Sequence, residues 1–343
     1  MRMEKVKMGI IGAGVWGETH ASIYREHPNA EPVAVCDKDE ARAKALAAKL
    51  GITQVYTDYH EMAAKSDCDA VAVVTPDFLH ADIAVCMADA GKHMLIEKPL
   101  ATTREDIARI CEAVERNGVR CMVDLHNRWS AAFNVAKQKI HDGTIGEPWT
   151  AYIRHSDIKW VATDMLKWAA DSSILWFLGS HSLDALRWFF NDEVKQVYSV
   201  KRVGILKELG VDTADVYLTT VIFQNGGIAH MENGWVTPNG NGNINDFKCS
   251  VMGTKGQVNI NASNHNLIQI ATDECMQIPD VMVTNMVFDK CKGLSYESIR
   301  DFVDRLVDGK EFRVTLEDAR RTALAIIAIH ESADTGGIVD VVY

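Results

Sequence analysis

The first third of the chain alternates short apolar runs with segments of helical pattern. The apolar runs predicted as strands cover residues 8–11, 32–36, 70–75, 94–96 and 120–125. The helical segments cover residues 19–26, 41–50, 83–90 and a stretch that ends at Gly118, with a capping box of Thr102 and Glu105 at its start. Strands that alternate with helices indicate a parallel sheet, and continuous apolar strands indicate a sheet covered on both faces.

The pattern changes after Leu125 to longer strands without helices between them. These strands are predicted at residues 149–155, 194–203, 213–223, 226–235, 247–252 and 257–261. Asn225 and Gly226 give a hairpin signal, residues 237–245 form a polar loop, and helices return at 296–307 and 316–332. We therefore predict an α/β Rossmann domain with a doubly wound parallel sheet (1–125), followed by an α+β domain with a large open, mostly antiparallel sheet (126–343).

The length of the chain indicates two domains, and its charge argues against one class of partner. The chain has 343 residues, which exceeds one ordinary domain. Its net charge is −11 and it has no basic block, which argues against a nucleic-acid partner. The apolar runs are too short to span a membrane, and the N-terminal run leads into glycines rather than a cleavage site, so we expect a soluble cytoplasmic protein.

Neither the cysteines nor the histidines show the spacing of a disulfide framework or a metal site. The eight cysteines lack a CxxC pair, which indicates buried free thiols in a reducing compartment. They are Cys36, Cys68, Cys86, Cys111, Cys121, Cys249, Cys275 and Cys291. Histidines such as His20, His27, His60 and His265 match no metal-ligand pattern, so we expect no metal.

A glycine-rich turn gives the strongest local signal. Gly12, Gly14 and Gly17 directly follow a predicted strand and open a predicted helix, which is the context that a dinucleotide fingerprint requires. Val15 and Trp16 complete the motif. The first glycine permits the tight turn, the second lets the backbone approach a pyrophosphate, and the third lets helix and strand pack closely. The free N–H groups of the first helical turn would face the phosphates.

An acidic residue stands at the end of the second predicted strand. Asp37 lies about 20 residues beyond the last glycine, the usual offset of the acid that binds the adenosine ribose. Its charge would repel a 2′-phosphate, which favours NAD over NADP, although the adjacent Lys38 could soften that preference and admit NADP. A structural glycine turn beside a surface aspartate is the alternative interpretation.

Two further polar segments stand at the carboxyl ends of strands, where a doubly wound sheet binds ligands. One holds Thr75, Pro76 and His80, and the other holds Glu97 and Lys98. A lysine beside a bound nicotinamide could hydrogen-bond a substrate hydroxyl and stabilise a developing alkoxide, with Glu97 positioning it. A surface salt bridge in an ordinary loop is the alternative.

His181 and Asp184 stand three residues apart, so they share one face if this segment is a helix. A histidine can take a hydroxyl proton as a hydride leaves the same carbon. The carboxylate can orient that histidine or hold a second substrate hydroxyl. The alternative is a histidine at a helix N-terminus beside an ordinary surface acid.

The motifs together resemble one enzyme family over nearly the whole chain. They are GAGVWG at 12–17, Asp37, TPDFLH at 75–80, EKP at 97–99, HNRW at 126–129, GEP at 146–148 and GSHSLDALRW at 179–188. This set is similar to the glucose-fructose oxidoreductase/inositol dehydrogenase/rhizopine-catabolism family. The resemblance implies hydride transfer between a nicotinamide and a hydroxyl or keto carbon of a sugar, polyol or related small molecule. It also implies a homodimer or homotetramer formed through the second-domain sheet.

The resemblance assigns roles residue by residue. Lys98 matches the lysine that contacts the reacting hydroxyl, and His181 matches the proposed acid/base histidine. Asp184 matches a substrate ligand, and Arg128 matches an arginine near the active-site cleft, so both are expected to bind the substrate. The loop beneath the nicotinamide ribose is matched by Thr75, Pro76 and His80.

One position departs from the family pattern. Many polyol-oxidising members carry an aspartate four residues before the histidine, and Phe177 stands there instead. Either another group orients His181, such as Asp171 or Asp184, or the substrate differs. Phe177 could present an apolar wall to a sugar and Trp168 could stack on one, although core packing is the alternative for both.

Two rival functions use the same motifs. An NAD-dependent glycosidase would use transient oxidation to permit elimination, with no net change in the redox state of NAD. A non-catalytic dinucleotide-binding regulator would have lost catalysis, which the presence of both Lys98 and His181 argues against. The preferred prediction is an NAD-dependent dehydrogenase in which Lys98 polarises the hydroxyl and His181 exchanges its proton.

Overall fold

The computed structural model describes residues 5–263, 267–272, 276–278 and 281–343, so His265 and Cys275 lie outside the described residues. The chain divides into two compact units. One comprises Met1–Leu125 with Met286–Arg320, and the other comprises His126–Asn285 with Arg321–Tyr343. The sequence predicted a single division after Leu125, whereas the chain also returns to the first unit at residue 286 and leaves it again after residue 320.

The first unit contains a parallel sheet of Rossmann topology. Its strands are β1 (Val6–Ile11), β2 (Ala30–Cys36), β3 (Gln54–Tyr56), β4 (Ala70–Val73), β5 (His93–Ile96) and β6 (Cys121–Val123). They lie in the order β3-β2-β1-β4-β5-β6, and all neighbours are parallel. The order reverses between β1 and β4, which is the switch point where such sheets bind ligands. The predicted doubly wound sheet is confirmed.

The helices of this unit follow the predicted pattern, with two local corrections. They are α1 (Val15–Glu26), α2 (Glu40–Leu50), α3 (Tyr59–Lys65), α4 (His80–Asp89) and α5 (Arg104–Asn117). The sequence analysis missed β3 and α3. The three residues of β3 are half-buried and form no apolar run. The predicted capping box of Thr102 and Glu105 is wrong by one residue, since the Thr103 hydroxyl accepts from the Asp106 amide.

The segment after residue 286 joins the first unit through side chains that are distant in sequence. Strands β15 (Asn285–Val287) and β16 (Lys290–Lys292) lead into helix α9 (Leu294–Asp308). Ile299, Phe302 and Val303 of α9 are fully buried. The Glu26 carboxylate of α1 accepts a hydrogen bond from the Cys291 amide at 3.3 Å. Local periodicity predicts α9 as a helix but carries no information about which helix it packs on.

The second unit is built on a mixed seven-stranded sheet. Its strands are β7 (Pro148–Asp157), β8 (Val194–Arg202), β9 (Val216–Phe223), β10 (Ile228–Gly234), β11 (Asn245–Gly253), β12 (Gln257–Asn261) and β17 (Ile338–Asp340). The order is β12-β11-β7-β10-β9-β8-β17, with β7 and β10 parallel and the other neighbours antiparallel. A short pair, β13 (Ile270–Ala271) and β14 (Met276–Gln277), lies outside it. The predicted mostly antiparallel sheet is confirmed.

Helices pack on one face of this sheet, and many described side chains on the other face, which we call the open face, are partly exposed. The remaining helices are α6 (Ala131–His141), α7 (Ser180–Phe190), α8 (Ile205–Glu208) and α10 (Leu316–Thr335). Burial alternates along β9, where Val221 and Phe223 are fully buried while Leu218 is 39% exposed. The hairpin between β9 and β10 turns at Gly226, whose φ of +89° fits the predicted turn. Within the described residues, no helix has the length and apolar character needed to cross a membrane.

Candidate active site

The glycine turn between β1 and α1 fits a dinucleotide. Gly12 has φ +103°, and a Cβ atom there would meet the Val74 carbonyl oxygen at 2.4 Å. A Cβ atom on Gly17 would lie 1.9 Å from the Gly12 carbonyl oxygen, so both positions require glycine. Gly14 is the N-cap of α1 and faces open space, which leaves room for a diphosphate to approach the backbone. The intervening motif residues are Val15, which is exposed, and Trp16, which is half-buried.

The Asp37 carboxylate is held beside this turn by backbone amides. Its Oδ2 accepts a hydrogen bond from the Ala13 amide at 2.8 Å, and its Oδ1 accepts one from the Asp39 amide at 2.9 Å. The Arg42 guanidinium lies 3.6 Å away, and the adjacent Lys38 is exposed. The acid predicted to bind the ribose is therefore already fixed in place against the glycine turn.

The two strand-end loops are joined by a buried histidine. His80 is fully buried, and its Nδ1 and Nε2 atoms lie 2.8 Å from the Pro99 carbonyl oxygen and 3.0 Å from the Thr75 carbonyl oxygen. Thr75 and Pro76 are half-buried after β4, and Lys98 is half-buried after β5. The structure thus brings the predicted Thr75 and Lys98 segments to the same edge of the sheet.

A buried polar network includes Glu97, the neighbour of Lys98. His20 lies with its Nε2 atom 2.9 Å from Glu97 Oε1 and its Nδ1 atom 3.1 Å from the Tyr24 hydroxyl. Burial, together with the nearby carboxylates of Asp124 and Glu97, raises the pKa of Tyr24 well above its usual value. The Tyr24 phenol therefore stays protonated at neutral pH and can donate a hydrogen bond within this network.

Three side chains of this network also have the chemistry of metal ligands. Atoms of His20, Glu97 and Asp124 all lie within 4.8 Å of one another. Sequence spacing does not reveal the group, because these residues belong to α1 and to the segments after β5 and β6. Tyr24 and Glu97 lie at hydrogen-bond distance from the two ring nitrogens of His20, so hydrogen bonding accounts for the placement of the His20 ring without an ion. The expectation of no metal stays a prediction.

In the second unit, Arg128 and Asp184 form a buried ion pair. The Arg128 guanidinium donates from Nε to Asp184 Oδ2 at 2.9 Å and from Nη2 to Asp184 Oδ1 at 2.6 Å. The two side chains are 8% and 1% exposed. The sequence predicted each of them as a substrate ligand, and the structure pairs them with each other. Helix α7 places His181 and Asp184 three residues apart, as predicted.

Three histidine rings meet near the start of α7. The His181 ring centroid lies 4.4 Å from that of His126 and 6.2 Å from that of His155. His155 stacks on Phe247 with centroids 3.9 Å apart, and it is buried, whereas His126 is half-buried. Sequence reasoning missed His126 and His155. The HNRW motif contained His126, but no local pattern relates it to residue 181.

Phe177 occupies the position of the expected aspartate within an aromatic group. It lies in the π-helical turn Leu175–Gly179, and its ring centroid is 6.5 Å from that of Trp168 and 5.8 Å from that of Trp235. Phe177 and Trp168 are both half-buried. Of the two acids expected to orient His181, Asp184 is paired with Arg128 and Asp171 is exposed.

Family sequence profiles match both units of the chain. Residues 6–125 match the oxidoreductase family with an NAD-binding Rossmann fold. Residues 133–259 match the GFO/IDH/MocA C-terminal domain. The chain belongs to the Gfo/Idh/MocA oxidoreductase family. This confirms the predicted family and the predicted nicotinamide-dependent oxidoreductase class.

Relatives of this Gfo/Idh/MocA protein carry dehydrogenase names. The chain is 25% identical over 333 residues to myo-inositol 2-dehydrogenase from Thermotoga maritima, covering 96% of both proteins. It is 28% identical over 306 residues to levoglucosan dehydrogenase from Pseudarthrobacter phenanthrenivorans, covering 78% of this chain and 77% of the relative. The structure of scyllo-inositol dehydrogenase from Lactobacillus casei with bound NAD(H) and scyllo-inositol matches with a TM-score of 0.84, 20% identity and coverage of 98% and 99%. This structural likeness supports the fold.

Proposed function

We propose that this Gfo/Idh/MocA protein is an NAD-dependent dehydrogenase of a sugar or polyol, acting between a hydroxyl and a keto carbon. The observation that carries the proposal is the Asp37 carboxylate, fixed by the Ala13 amide against a turn in which Gly12 and Gly17 are sterically required. That arrangement suits a dinucleotide whose adenosine ribose has both of its hydroxyls free. Relatives named for inositol and levoglucosan support the substrate class.

The reaction roles follow from the chemistry of the side chains. When bound, NAD accepts or returns a hydride. The glycine turn and Asp37 would hold its diphosphate and ribose, and the Thr75 loop would lie beneath its second ribose. Lys98 would donate a hydrogen bond to the reacting oxygen and stabilise its negative charge, while His181 would take the hydroxyl proton at a ring nitrogen.

The second unit supplies the groups that we infer to shape the substrate site. Trp168 and Phe177 offer half-buried aromatic faces, which suit the apolar face of a sugar ring. The Arg128–Asp184 pair joins the 126–129 segment to α7, and so supports the helix that carries His181. In this proposal the pair holds the site in shape, and a direct substrate contact is a secondary role.

A substrate panel tests the proposed activity. The pure protein is incubated with NAD or NADP and with inositols, hexoses, pentoses, anhydrosugars and keto-sugars, and nicotinamide absorbance is followed. We expect NAD-linked turnover of at least one cyclic polyol or sugar. No response to any compound, together with NAD that co-purifies and stays oxidised, would contradict the dehydrogenase and favour redox-neutral elimination.

Replacing Asp37 with serine should relax the discrimination against NADP. The variant removes the negative charge that would face a 2′-phosphate, and leaves Arg42 and Lys38 nearby as positive groups. We expect the ratio of kcat/KM for NADP to that for NAD to rise roughly tenfold or more, since a charge contact of this kind contributes about 1.4 kcal/mol or more. Asp212→Ser, which changes an exposed aspartate of the second unit, is the matched control. An unchanged ratio in Asp37→Ser would show that Asp37 does not bind the ribose.

We also propose that two copies associate through the open face of the second-unit sheet. Apolar side chains on this face are 39–46% exposed, and they are Tyr152, Tyr198, Val200, Leu218, Ile228 and Met252. Near them, the Arg154 guanidinium pairs with Glu232 at 3.0 Å and with Asp246 at 3.1 Å, and the Lys248 ammonium pairs with Asp246 at 2.8 Å, so two cations balance two carboxylates. An apolar, charge-balanced surface of this extent suits a self-complementary interface.

Leu218→Lys tests this interface. Burying an unpaired ammonium at the centre of a symmetric contact is unfavourable, so the variant should elute as a smaller species in size-exclusion chromatography with light scattering. Val135→Lys, which places the same charge on the exposed side of α6, should leave the assembly unchanged. Identical masses for both variants and the parent protein would contradict the interface.

A reducing compartment such as the cytoplasm suits the cysteine chemistry. The described cysteines are all free thiols. Burial raises the pKa of Cys36 and of Cys249 to about 12, so both stay as unreactive thiols at neutral pH. We therefore propose a cytoplasmic location.

A further inference from the structure

A cavity of about 440 Å³ lies within the second unit. Its described lining comes from residues 170–173 and 176, from the end of β8 and the loop after it, from the start of β9 and the loop before it, and from α10. None of these described residues belongs to the candidate active site, although the sequence had suggested Asp171 as a partner of His181. The volume falls within the range of small-molecule binding sites.

The buried part of this lining is aromatic. Trp176 and Tyr217 are 8% and 4% exposed, and their ring centroids lie 5.0 Å and 5.7 Å from that of His330. Trp176 stacks on His330 at an interplanar angle of 25°, whereas Tyr217 meets His330 edge-on at 69°. Aromatic surfaces of this kind suit the C–H groups of a sugar or polyol ring.

Both ring nitrogens of His330 have partners within the protein. Its Nδ1 atom lies 3.0 Å from the Ile326 carbonyl oxygen, which can only accept, so Nδ1 carries the ring proton and donates. Burial lowers the pKa of His330 to about 4, so the ring is neutral at neutral pH. Its Nε2 atom then accepts a hydrogen bond from the Ser173 hydroxyl at 2.7 Å. His330 therefore needs no ligand to satisfy its ring.

The Tyr217 hydroxyl is the polar group of this wall that the protein leaves open. Among the residues that the structure describes, it has no hydrogen-bond partner. Burial and the nearby Asp334 carboxylate raise the pKa of Tyr217 to about 12, so the phenol stays protonated at neutral pH and can both donate and accept. Buried polar groups almost always have a partner, which here a molecule in the cavity would supply.

The charged groups of the lining argue against an anionic ligand. The Lys201 ammonium pairs with Asp334, and the Asp212 carboxylate lies 3.5 Å from the Lys207 ammonium. Asp171 is exposed, and its carboxylate can accept hydrogen bonds from ligand hydroxyls. Because both lysines already have a carboxylate beside them, an anion would gain little attraction and would be repelled by Asp171.

We propose that this cavity binds a neutral polyhydroxylated ring, such as a monosaccharide or a cyclic polyol, separately from the site of the reaction. The C–H groups of the ring would pack on Trp176, and its hydroxyls would hydrogen-bond to Tyr217 and Asp171. The inference goes beyond the proposed dehydrogenase activity and does not depend on it, since no lining residue described for the cavity takes part in the proposed reaction.

Blocking the cavity tests where such a ring binds. Saturation-transfer NMR on the whole protein without nicotinamide follows the binding of D-glucose and of myo-inositol. Val203→Trp places a large ring at a lining position that is 46% exposed, so the fold should tolerate it while the cavity is filled. This variant should lose a binding signal that the parent protein shows. Ile205→Trp, which changes a 48% exposed residue outside the described lining, should keep that signal.

Tyr217→Phe tests the open hydroxyl. The variant keeps the aromatic ring and removes only the oxygen, so Kd for the probe that binds should rise roughly two- to tenfold, the effect of one lost hydrogen bond. The kcat and KM of the dehydrogenase reaction should stay at their parent values. Tyr59→Phe removes a half-buried phenol from α3 of the first unit, and its Kd should equal that of the parent.

The outcomes separate failure of this site from failure of the proposed function. If the parent binds neither probe, or if Val203→Trp binds them as the parent does, the cavity site is wrong even in an active dehydrogenase. Tighter binding of D-glucose 6-phosphate than of D-glucose would overturn the neutral class of ligand. Probe binding that Val203→Trp removes, in a protein that turns over no compound of the substrate panel, would support the cavity site and reject the dehydrogenase.

Discussion

Replacing His181 with asparagine or Lys98 with methionine is expected to lower kcat by roughly 10²- to 10⁴-fold. Asparagine cannot carry a proton, and methionine keeps the length of the lysine stem without its charge or its donors. Neither residue belongs to the glycine turn or to the Asp37 contacts that hold the adenosine half of NAD. NAD affinity should therefore change by ~2-fold or less, as is typical when a lost interaction is made only in the transition state.

The measurement pairs steady-state kinetics with calorimetric titration of NAD. Lys65→Met is the matched control for the lysine, because Lys65 is an exposed lysine on α3 that pairs with the surface carboxylate of Glu61. This control should keep both parent kcat and parent NAD affinity. Loss of NAD binding in the His181 variant would show that the residue supports the fold of the site rather than its chemistry. Activity that survives in both variants would reject the proposed mechanism.

The cofactor half of the protein could be predicted from its sequence because its signals are local. Each buried strand of the first unit is a short apolar run, and the glycine turn lies directly between β1 and α1. Steric limits at Gly12 and Gly17 act within a few ångströms of the backbone, so they are recorded in the motif itself. Asp37 follows at a fixed offset because β2 must return beside β1.

The side-chain networks could not be predicted, because they join residues that are distant in sequence. The hydrogen bond of His20 to Glu97 spans 77 positions, and the Arg128–Asp184 pair spans 56. Each partner alone has an ordinary local pattern. The same reason explains why α9 was recognised as a helix while its packing in the first unit was not. Periodicity determines which face of an element is buried, but not which element covers it.

These networks change the meaning of two predicted ligands. Asp184 was chosen because it lies one helical turn from His181, and that spacing is present in α7. Its carboxylate is nevertheless occupied by a guanidinium at 2.6 Å and 2.9 Å. A buried carboxylate is stable only when it is paired, so the first demand on Asp184 is structural. The contribution of Asp184 to substrate binding then depends on how firmly Arg128 fixes this part of α7.

Removal of one partner of this pair should cost more stability than any other single change proposed for the second unit. Arg128→Leu leaves the Asp184 carboxylate buried at 1% exposure without its guanidinium. Breaking a buried ion pair in this way typically costs ~3–5 kcal/mol of unfolding free energy. Arg128→Lys keeps the charge but loses the two-pronged contact, so its cost should be smaller. Urea denaturation, followed through tryptophan fluorescence, measures both.

The double variant Arg128→Leu/Asp184→Leu distinguishes two causes of the lost stability. One is the unpaired buried carboxylate, and the other is lost packing. If the unpaired carboxylate is the cause, the double variant should recover most of the stability lost in Arg128→Leu, because no charge remains to be buried. Lys139→Met, which breaks the exposed pair with Asp142 on the same unit, should cost less than ~1 kcal/mol. If the double variant is no more stable than Arg128→Leu, the lost unfolding free energy comes instead from packing around Trp188. The pair would then support α7 through shape rather than charge.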